Sequence, residues 1–134
     1  MSFISQDLKK IYKSLSKKYD FNYLDIGSSV PLNKYLLELC EVFNVNLYEP
    51  NIKEYNKLLE LKKKTKNLDA FPYGISNKSK EKLNIYHRPN FSSIYSIDEK
   101  YNHFVRGKLR KTSTVRVKCI TLKTALNKII KLSE

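Results

Sequence analysis

The sequence predicts an α/β fold: a parallel sheet with an antiparallel addition. Three observations carry the prediction. A hydrophobic run ending in Asp25-Ile26-Gly27 is followed by a helical pattern and then by a second hydrophobic run ending in Glu49-Pro50. The same alternation continues through one more helix and a third apolar run, giving the order β-α-β-α-β. Two later runs alternate with period two and are followed by a helix, which adds antiparallel strands to a parallel core.

Each element has its own local signal. Leu8, Ile11, Tyr12 and Leu15 sit at helical spacing between Ser5 and Lys18, and Ser5-Gln6-Asp7 is a helix start. Asp20-Phe21-Asn22 breaks that helix. Tyr23 to Ile26 reads as a strand, apolar apart from the acid near its end, as a strand buried on both faces should be. Gly27-Ser28-Ser29 makes the turn, and Pro31 is expected in the first turn of the next helix, where its missing N–H is not needed. Leu32, Tyr35, Leu36, Leu39, Cys40 and Phe43 form one helical face, ended by Asn44.

Val45 to Tyr48 is the second strand. Asn51 is positioned to cap a helix that carries Ile52, Tyr55, Leu58 and Leu59 on its apolar side and runs out in lysines. Leu68 to Ile75 reads as a third strand with an irregular point at Pro72. Ser76 to Ser79 is turn chemistry, and Lys82 to Tyr86 alternates. Arg88 to Arg110 has no clear period and reads as a loop. Val115, Val117 and Cys119 alternate as the last strand, after which Thr121 or Thr124 opens a terminal helix. Right-handed crossovers place the second strand beside the first and the third outside the second. That leaves the other side of the first strand without a partner from this chain.

Residues 1–20 therefore form an N-terminal helical segment and 21–134 the domain proper. At 134 residues the chain is one domain, long enough to bury about two-thirds of its unfolded surface. No apolar run approaches the roughly 20 residues of a membrane-spanning helix. The lysine-rich N-terminus lacks a signal-peptide core, and the chain is expected to be cytoplasmic. The net charge of +13 comes from 22 Lys and only 4 Arg, spread over the whole length. Arg suits bidentate phosphate contacts, so its scarcity argues against a nucleic-acid partner. Lys62-Lys63-Lys64 with Lys66, and Arg106 to Arg116, read as exposed element ends. Cys40 and Cys119 fall on apolar patterns and read as small buried hydrophobes; with His87 and His103 they show no metal-ligand spacing.

The candidate site lies at the ends of the first two strands. A glycine at position 27 lets backbone approach a ligand closely. Asp25 can accept a hydrogen bond from a loop amide or a cationic group. Glu49, 22 residues beyond Gly27, can accept both hydroxyls of a ribose. The turn carries one glycine where a dinucleotide cradle has three, so a nucleoside cofactor without a pyrophosphate, S-adenosylmethionine, is favoured over NAD. His87 or His103 could act as a general base, and Tyr86, Tyr95 and Tyr101 could line a pocket; Ser92 and Ser93 read as hydrogen-bonding loop residues.

Five segments in order carry a resemblance: Tyr23–Ser29 (YLDIGSS), Leu47–Asn51 (LYEPN), Tyr73–Asn77 (YGISN), Phe91–Ile94 (FSSI) and Val117–Leu122 (VKCITL). Over about Phe21 to Leu126 the chain resembles the FkbM-type S-adenosylmethionine-dependent methyltransferases. The resemblance implies a class I methyltransferase, Rossmann-like fold, and S-adenosyl-L-methionine as cofactor. It puts Asp25, Gly27 and Ser28 in the cofactor loop, with Glu49 and the following Pro50 at the ribose. The activity implied is O-methylation of a sugar or small metabolite.

The chain departs from that pattern in three places. Val30-Pro31 stands near the usual second glycine, Lys123 stands in place of an aspartate after Leu122, and the strand with a lysine-x-aspartate-x-glutamate-glycine pattern is not reached. That strand would be the one beside the bare first strand, so a C-terminally truncated or split domain is expected, possible alternatives being a degenerate remnant or half of an assembly completed by a partner chain or a second copy. The competing functional reading is a non-catalytic basic α/β module that binds nucleic acid or a partner protein.

Overall fold

A computed structural model describes residues 4–102 and 109–132. Helix α1 (Gln6–Leu15) begins where Ser5 Oγ accepts the Leu8 N–H at 3.2 Å. It is followed by β1 (Asn22–Ile26), α2 (Lys34–Leu39), β2 (Asn44–Tyr48), α3 (Ile52–Lys62) and β3 (Leu68–Phe71). β1, β2 and β3 form a parallel sheet in that order, with Leu24 opposite Asn46 and Ile26 opposite Tyr48. The order is the one right-handed crossovers impose.

The two faces of this sheet carry separate cores. Val45 and Leu47 on β2 and Leu68 and Ala70 on β3 pack with Leu36, Leu39 and Cys40 of the α2 segment and Leu58 of α3. On the other face Tyr48 is fully buried and packs with Leu24, Phe71 and, from α5 (Leu122–Leu132), Ala125 and Ile129. The Tyr48 and Phe71 rings stack at 4.8 Å, and the Tyr48 hydroxyl donates to the Ala125 carbonyl at 3.4 Å. β2, central in the sheet, thus anchors both cores.

β1 differs from expectation. Its place at the sheet edge is the expected one, but its apolar composition suits a strand covered on both faces, and only Leu24 and Asp25 are half-buried while Ile26 remains 53% exposed. Among the described residues it pairs only with β2. Pro31 is a second correction. It precedes the helix, after a cis peptide, and the Asn33 side chain caps α2 by accepting the Tyr35 N–H at 3.0 Å. The helix is also short: Cys40 to Phe43 continue the apolar pattern in turns rather than in helix.

Pro72 interrupts the third run, as expected, and the consequence is larger than one irregular point. β4 (Gly74–Ile75) leaves the parallel sheet and joins a second one, ordered β4-β6-β5 with β5 at Lys80–Tyr86 and β6 at Lys111–Ile120. β4 runs parallel to β6, and β5 antiparallel to it. The antiparallel addition is therefore a separate mixed sheet rather than a hairpin on the first. β6 is longer than its apolar alternation, because Lys111 to Thr114 are exposed and polar. The segment Lys111–Arg116 is strand body, not an element end; Arg106 lies outside the described residues.

Between β5 and β6 run a 3₁₀ turn (Pro89–Phe91) and the short helix α4 (Glu99–Asn102). Ser93 exchanges both backbone hydrogen bonds with Asn84, at 2.8 and 3.1 Å, so the expected loop is tied to the edge of β5. α5 starts where Thr121 Oγ1 accepts the Thr124 N–H at 3.1 Å. Cys40 and Cys119 are both buried and free, as their patterns imply; burial pushes the Cys40 thiol up to about 11 and its Sγ donates to the Leu36 carbonyl. Among the described residues no helix is long and apolar enough to cross a membrane.

Candidate functional site

Because Ile26 and Tyr48 are partners across parallel strands, Gly27 and Glu49 emerge side by side at the same end of the sheet. The backbone builds this corner. Gly27 adopts φ +81°, a left-handed conformation that favours glycine, and its N–H donates to the Tyr48 carbonyl at 2.8 Å. The Ser28 N–H reaches the same oxygen at 3.4 Å. A Cβ placed on Gly27 would meet nothing within 4 Å, so the glycine is required by its dihedral angle and its outer face is open.

Asp25 accepts a hydrogen bond from the Ser28 hydroxyl at 2.6 Å, and Ser28 is 2% exposed. The acid thus holds the turn through a side-chain hydroxyl; the loop amides that could have served it go to Tyr48. The following residue links the turn to the long loop: Ser29 Oγ donates to Asn90 Oδ1 at 2.9 Å.

Glu49 is 7% exposed. Its N–H donates to the Phe71 carbonyl at 3.0 Å, and its Oε1 accepts the Asn51 N–H at 2.7 Å. Burial raises its carboxyl from 4.5 to about 7; the Asn51 amide opposes that rise and the negative charge of Glu54 adds to it. Glu54, in the first turn of α3, is itself only 6% exposed. Its Oε1 meets Lys57 Nζ at 2.7 Å, while its buried Oε2 has no hydrogen-bond partner among the described residues. Pro50 plays a packing part. A Cβ on Gly74 would lie 3.6 Å from Pro50 Cβ, which marks how closely β4 approaches the Glu49-Pro50 corner.

The remaining candidates separate. His87 Nδ1 accepts the Arg110 N–H at 3.1 Å, which engages the nitrogen a general base would use. Tyr86 is buried, and its hydroxyl accepts the Ile97 N–H at 3.2 Å, so it braces the loop instead of lining a pocket. Ser92 and Ser93 are loop hydrogen-bonders as expected: their hydroxyls accept the Tyr86 and Tyr95 amides. His103 and the side chain of Tyr101 lie outside the described residues. Tyr95 is 76% exposed on the wall of a groove of about 540 Å³, with Ile75, Lys78, Glu81, Ile94 and Leu122. That groove and an adjoining one of about 400 Å³ have none of Asp25, Gly27, Ser28 or Glu49 on their walls. Among the described residues no cluster of three or more His, Cys, Asp or Glu could hold a metal ion.

Sequence reasoning missed Glu54 and Asn90. Glu54 had a signal: it stands three residues after the helix-capping Asn51, where an acid turns back toward the helix start. Asn90 had none, because nothing local ties it to a residue 61 positions earlier. Chemically, the corner offers a carboxylate that can accept hydrogen bonds, on the residue next in register to an open-faced glycine, an acceptor that suits a pair of vicinal hydroxyls. No protein-family model, curated protein or solved structure matches this chain.

Proposed function

We propose that this chain is a class I, FkbM-type methyltransferase domain that takes S-adenosyl-L-methionine and methylates a hydroxyl of a sugar or small metabolite. The observation that carries the reading is the pairing of Gly27 and Glu49 at one end of adjacent parallel strands, with the glycine face open and the acid beside it. The acceptor and the open backbone fit the nucleoside part of the cofactor. Glu49 would accept the ribose hydroxyls, Gly27 would let the ligand lie against backbone, and Asp25 holds Ser28 so that the turn keeps its shape. Pro50, next to Glu49, packs close to Gly74 of β4. Val30-Pro31, in place of a second glycine, leaves the methionine part with less backbone to approach.

When bound, the cofactor supplies an electrophilic methyl group. The protein's task is then to place the acceptor oxygen in line with it, and positioning of that kind accounts for much of the acceleration in two-substrate reactions. The Ser29–Asn90 contact ties the start of the segment after β5 to the Gly27–Ser29 turn, where an acceptor would be chosen. The edge of β1 that no other described strand pairs, one peptide from Gly27, is where a partner chain or second copy would pair and supply the opposite wall of the cleft.

Calorimetric titration with S-adenosylhomocysteine tests the reading. Binding is expected, weakened by about 1–3 kcal/mol in Glu49→Ala, the cost of losing a charged hydrogen bond in a buried site. The absence of heat from folded protein would remove the proposal.

A further inference from the structure

A second surface has a composition and geometry of its own. β5 and β6 pair antiparallel with Lys80 opposite Lys118 and Lys82 opposite Arg116. Directly opposed residues in such a pair lie on the same face, and residues two apart along a strand share it. Four cations therefore occupy one face of a two-stranded ribbon, about 5 Å apart across the strands and about 7 Å apart along them. All four are exposed. Among the described residues none of them has a carboxylate within ion-pair distance, and like charges placed directly opposite repel.

The one acid of the ribbon, Glu81, lies opposite Val117 on the other face, where it accepts the Ser76 hydroxyl at 3.0 Å and meets Lys78 at 3.8 Å. The groove of about 400 Å³ along this edge has Lys80, Lys82 and Arg116 on its wall. It shares Lys78, Glu81 and Ile94 with the groove of about 540 Å³ that carries Tyr95. Three of the four cations thus line one groove, and the adjoining groove, reached past Lys78, Glu81 and Ile94, carries the Tyr95 ring, 76% exposed.

We infer that this face binds single-stranded nucleic acid, its phosphates on Lys80, Lys82, Arg116 and Lys118 and an unpaired base on Tyr95. Cations that track a backbone, with an aromatic platform beside them, are the two parts that such binding needs. A duplex would leave the ring without a base to stack on. Even spread of lysine along the sequence argued against a nucleic-acid partner; the strand register gathers four cations from two distant segments onto one surface. The inference is independent of the nucleoside site, which uses other residues.

Fluorescence anisotropy with a labelled single strand of about 12 nucleotides tests it. Four phosphate contacts give a salt slope near −2.8, an affinity loss of about fifty-fold between about 50 and 200 mM salt. Lys82→Ala/Arg116→Ala is expected to reduce the slope by about 1.4 and the affinity at low salt at least about tenfold. Lys17→Ala/Lys18→Ala, which removes equal charge elsewhere, is expected to change affinity less than about twofold, and Tyr95→Ala to weaken single strands about tenfold while leaving duplex binding unchanged. All substituted side chains are exposed, and an unchanged circular-dichroism melt establishes that each variant folds. Equal losses in the two double variants would assign the binding to bulk charge and overturn the proposal. Tighter binding to phosphatidylserine vesicles than to the oligonucleotide, abolished by Lys82→Ala/Arg116→Ala, would also overturn it, in favour of a membrane surface.

Discussion

Glu49 accepts the Asn51 N–H that Glu54 would ordinarily take. Asn51 caps α3, and an acid three residues into a helix commonly turns back to the cap's own amide. Here Glu49 Oε1 holds that amide at 2.7 Å, and Glu54 is left with a buried oxygen that has no partner among the described residues. Two carboxylates thus compete for one donor in a buried corner, and the strand-end acid has it. The arrangement leaves α3 with an unsatisfied carboxylate oxygen among the described residues and holds the Glu49 carboxylate at the start of α3.

The first prediction concerns stability against pH. The Glu49 carboxyl titrates at about 7 in the folded chain against an ordinary 4.5, so between those values the folded state holds a proton that the unfolded state has released. Its contribution is complete below about 4.5 and is lost as pH rises through about 7, the reverse of a salt-bridged acid. Glu49→Gln removes this term. Relative to wild type, the variant is expected to gain roughly 2–3 kcal/mol between pH 4.5 and 8, measured by denaturant unfolding. A constant difference across that range would contradict the assignment.

Ligand binding should move the opposite way. An ionised carboxylate is the stronger acceptor for hydroxyls. With Glu49 titrating at about 7, S-adenosylhomocysteine is expected to bind about tenfold more tightly at pH 8 than at pH 6. Glu54→Gln should move the midpoint down, because it removes a negative charge that raises Glu49. Isotope-edited titration of the Glu49 side chain reads that shift directly.

Gly74 is set by crowding. A Cβ there would sit 2.8 Å from Cys119 Sγ, a short and buried side chain with little freedom to withdraw. Gly74→Ala is expected to cost about 1–3 kcal/mol by overpacking. In Gly74→Ala/Cys119→Ala the sulfur is absent, and the double variant should be less destabilised than the sum of the singles. Strict additivity in thermal melts would show that the contact is not the cause.

The Ser29–Asn90 bond joins two exposed or half-buried side chains, so its loss should affect order more than stability. Asn90→Ala is expected to cost no more than about 1 kcal/mol globally. Hydrogen exchange should nevertheless accelerate across residues 88–98 and at Ser28 and Ser29. Exchange unchanged in the turn would mean that the two segments are held together by other contacts.

The alternating order of α1 to β3 was readable because each strand is a compact apolar run with an acid or amide at its end, and Asn51 announced its helix by type and place. The misreadings share a cause: apolar periodicity reports burial, not conformation. Leu32 and Phe43 are packed into the core beyond either end of α2, so the pattern extended a six-residue helix. β6 was shortened for the converse reason, since Lys111 to Thr114 face water and leave no hydrophobic trace. At the candidate site, Gly27 and Glu49 were legible from spacing. The exchange of partners among Glu49, Asn51 and Glu54 was not, because it depends on which carboxylate the fold brings nearer to one amide.

The edge of β1, which no other described strand pairs, has a thermodynamic consequence. Ile26, at its end, is the neighbour of Gly27, so whatever pairs along β1 ends within one residue of the nucleoside corner. Two occupants that share a boundary exchange free energy reciprocally: if strand addition tightens the ligand by some factor, the ligand tightens strand addition by the same factor. On the proposed reading, assembly and small-molecule binding on this sheet would be a single coupled equilibrium, and the concentration of one would be a control on the other.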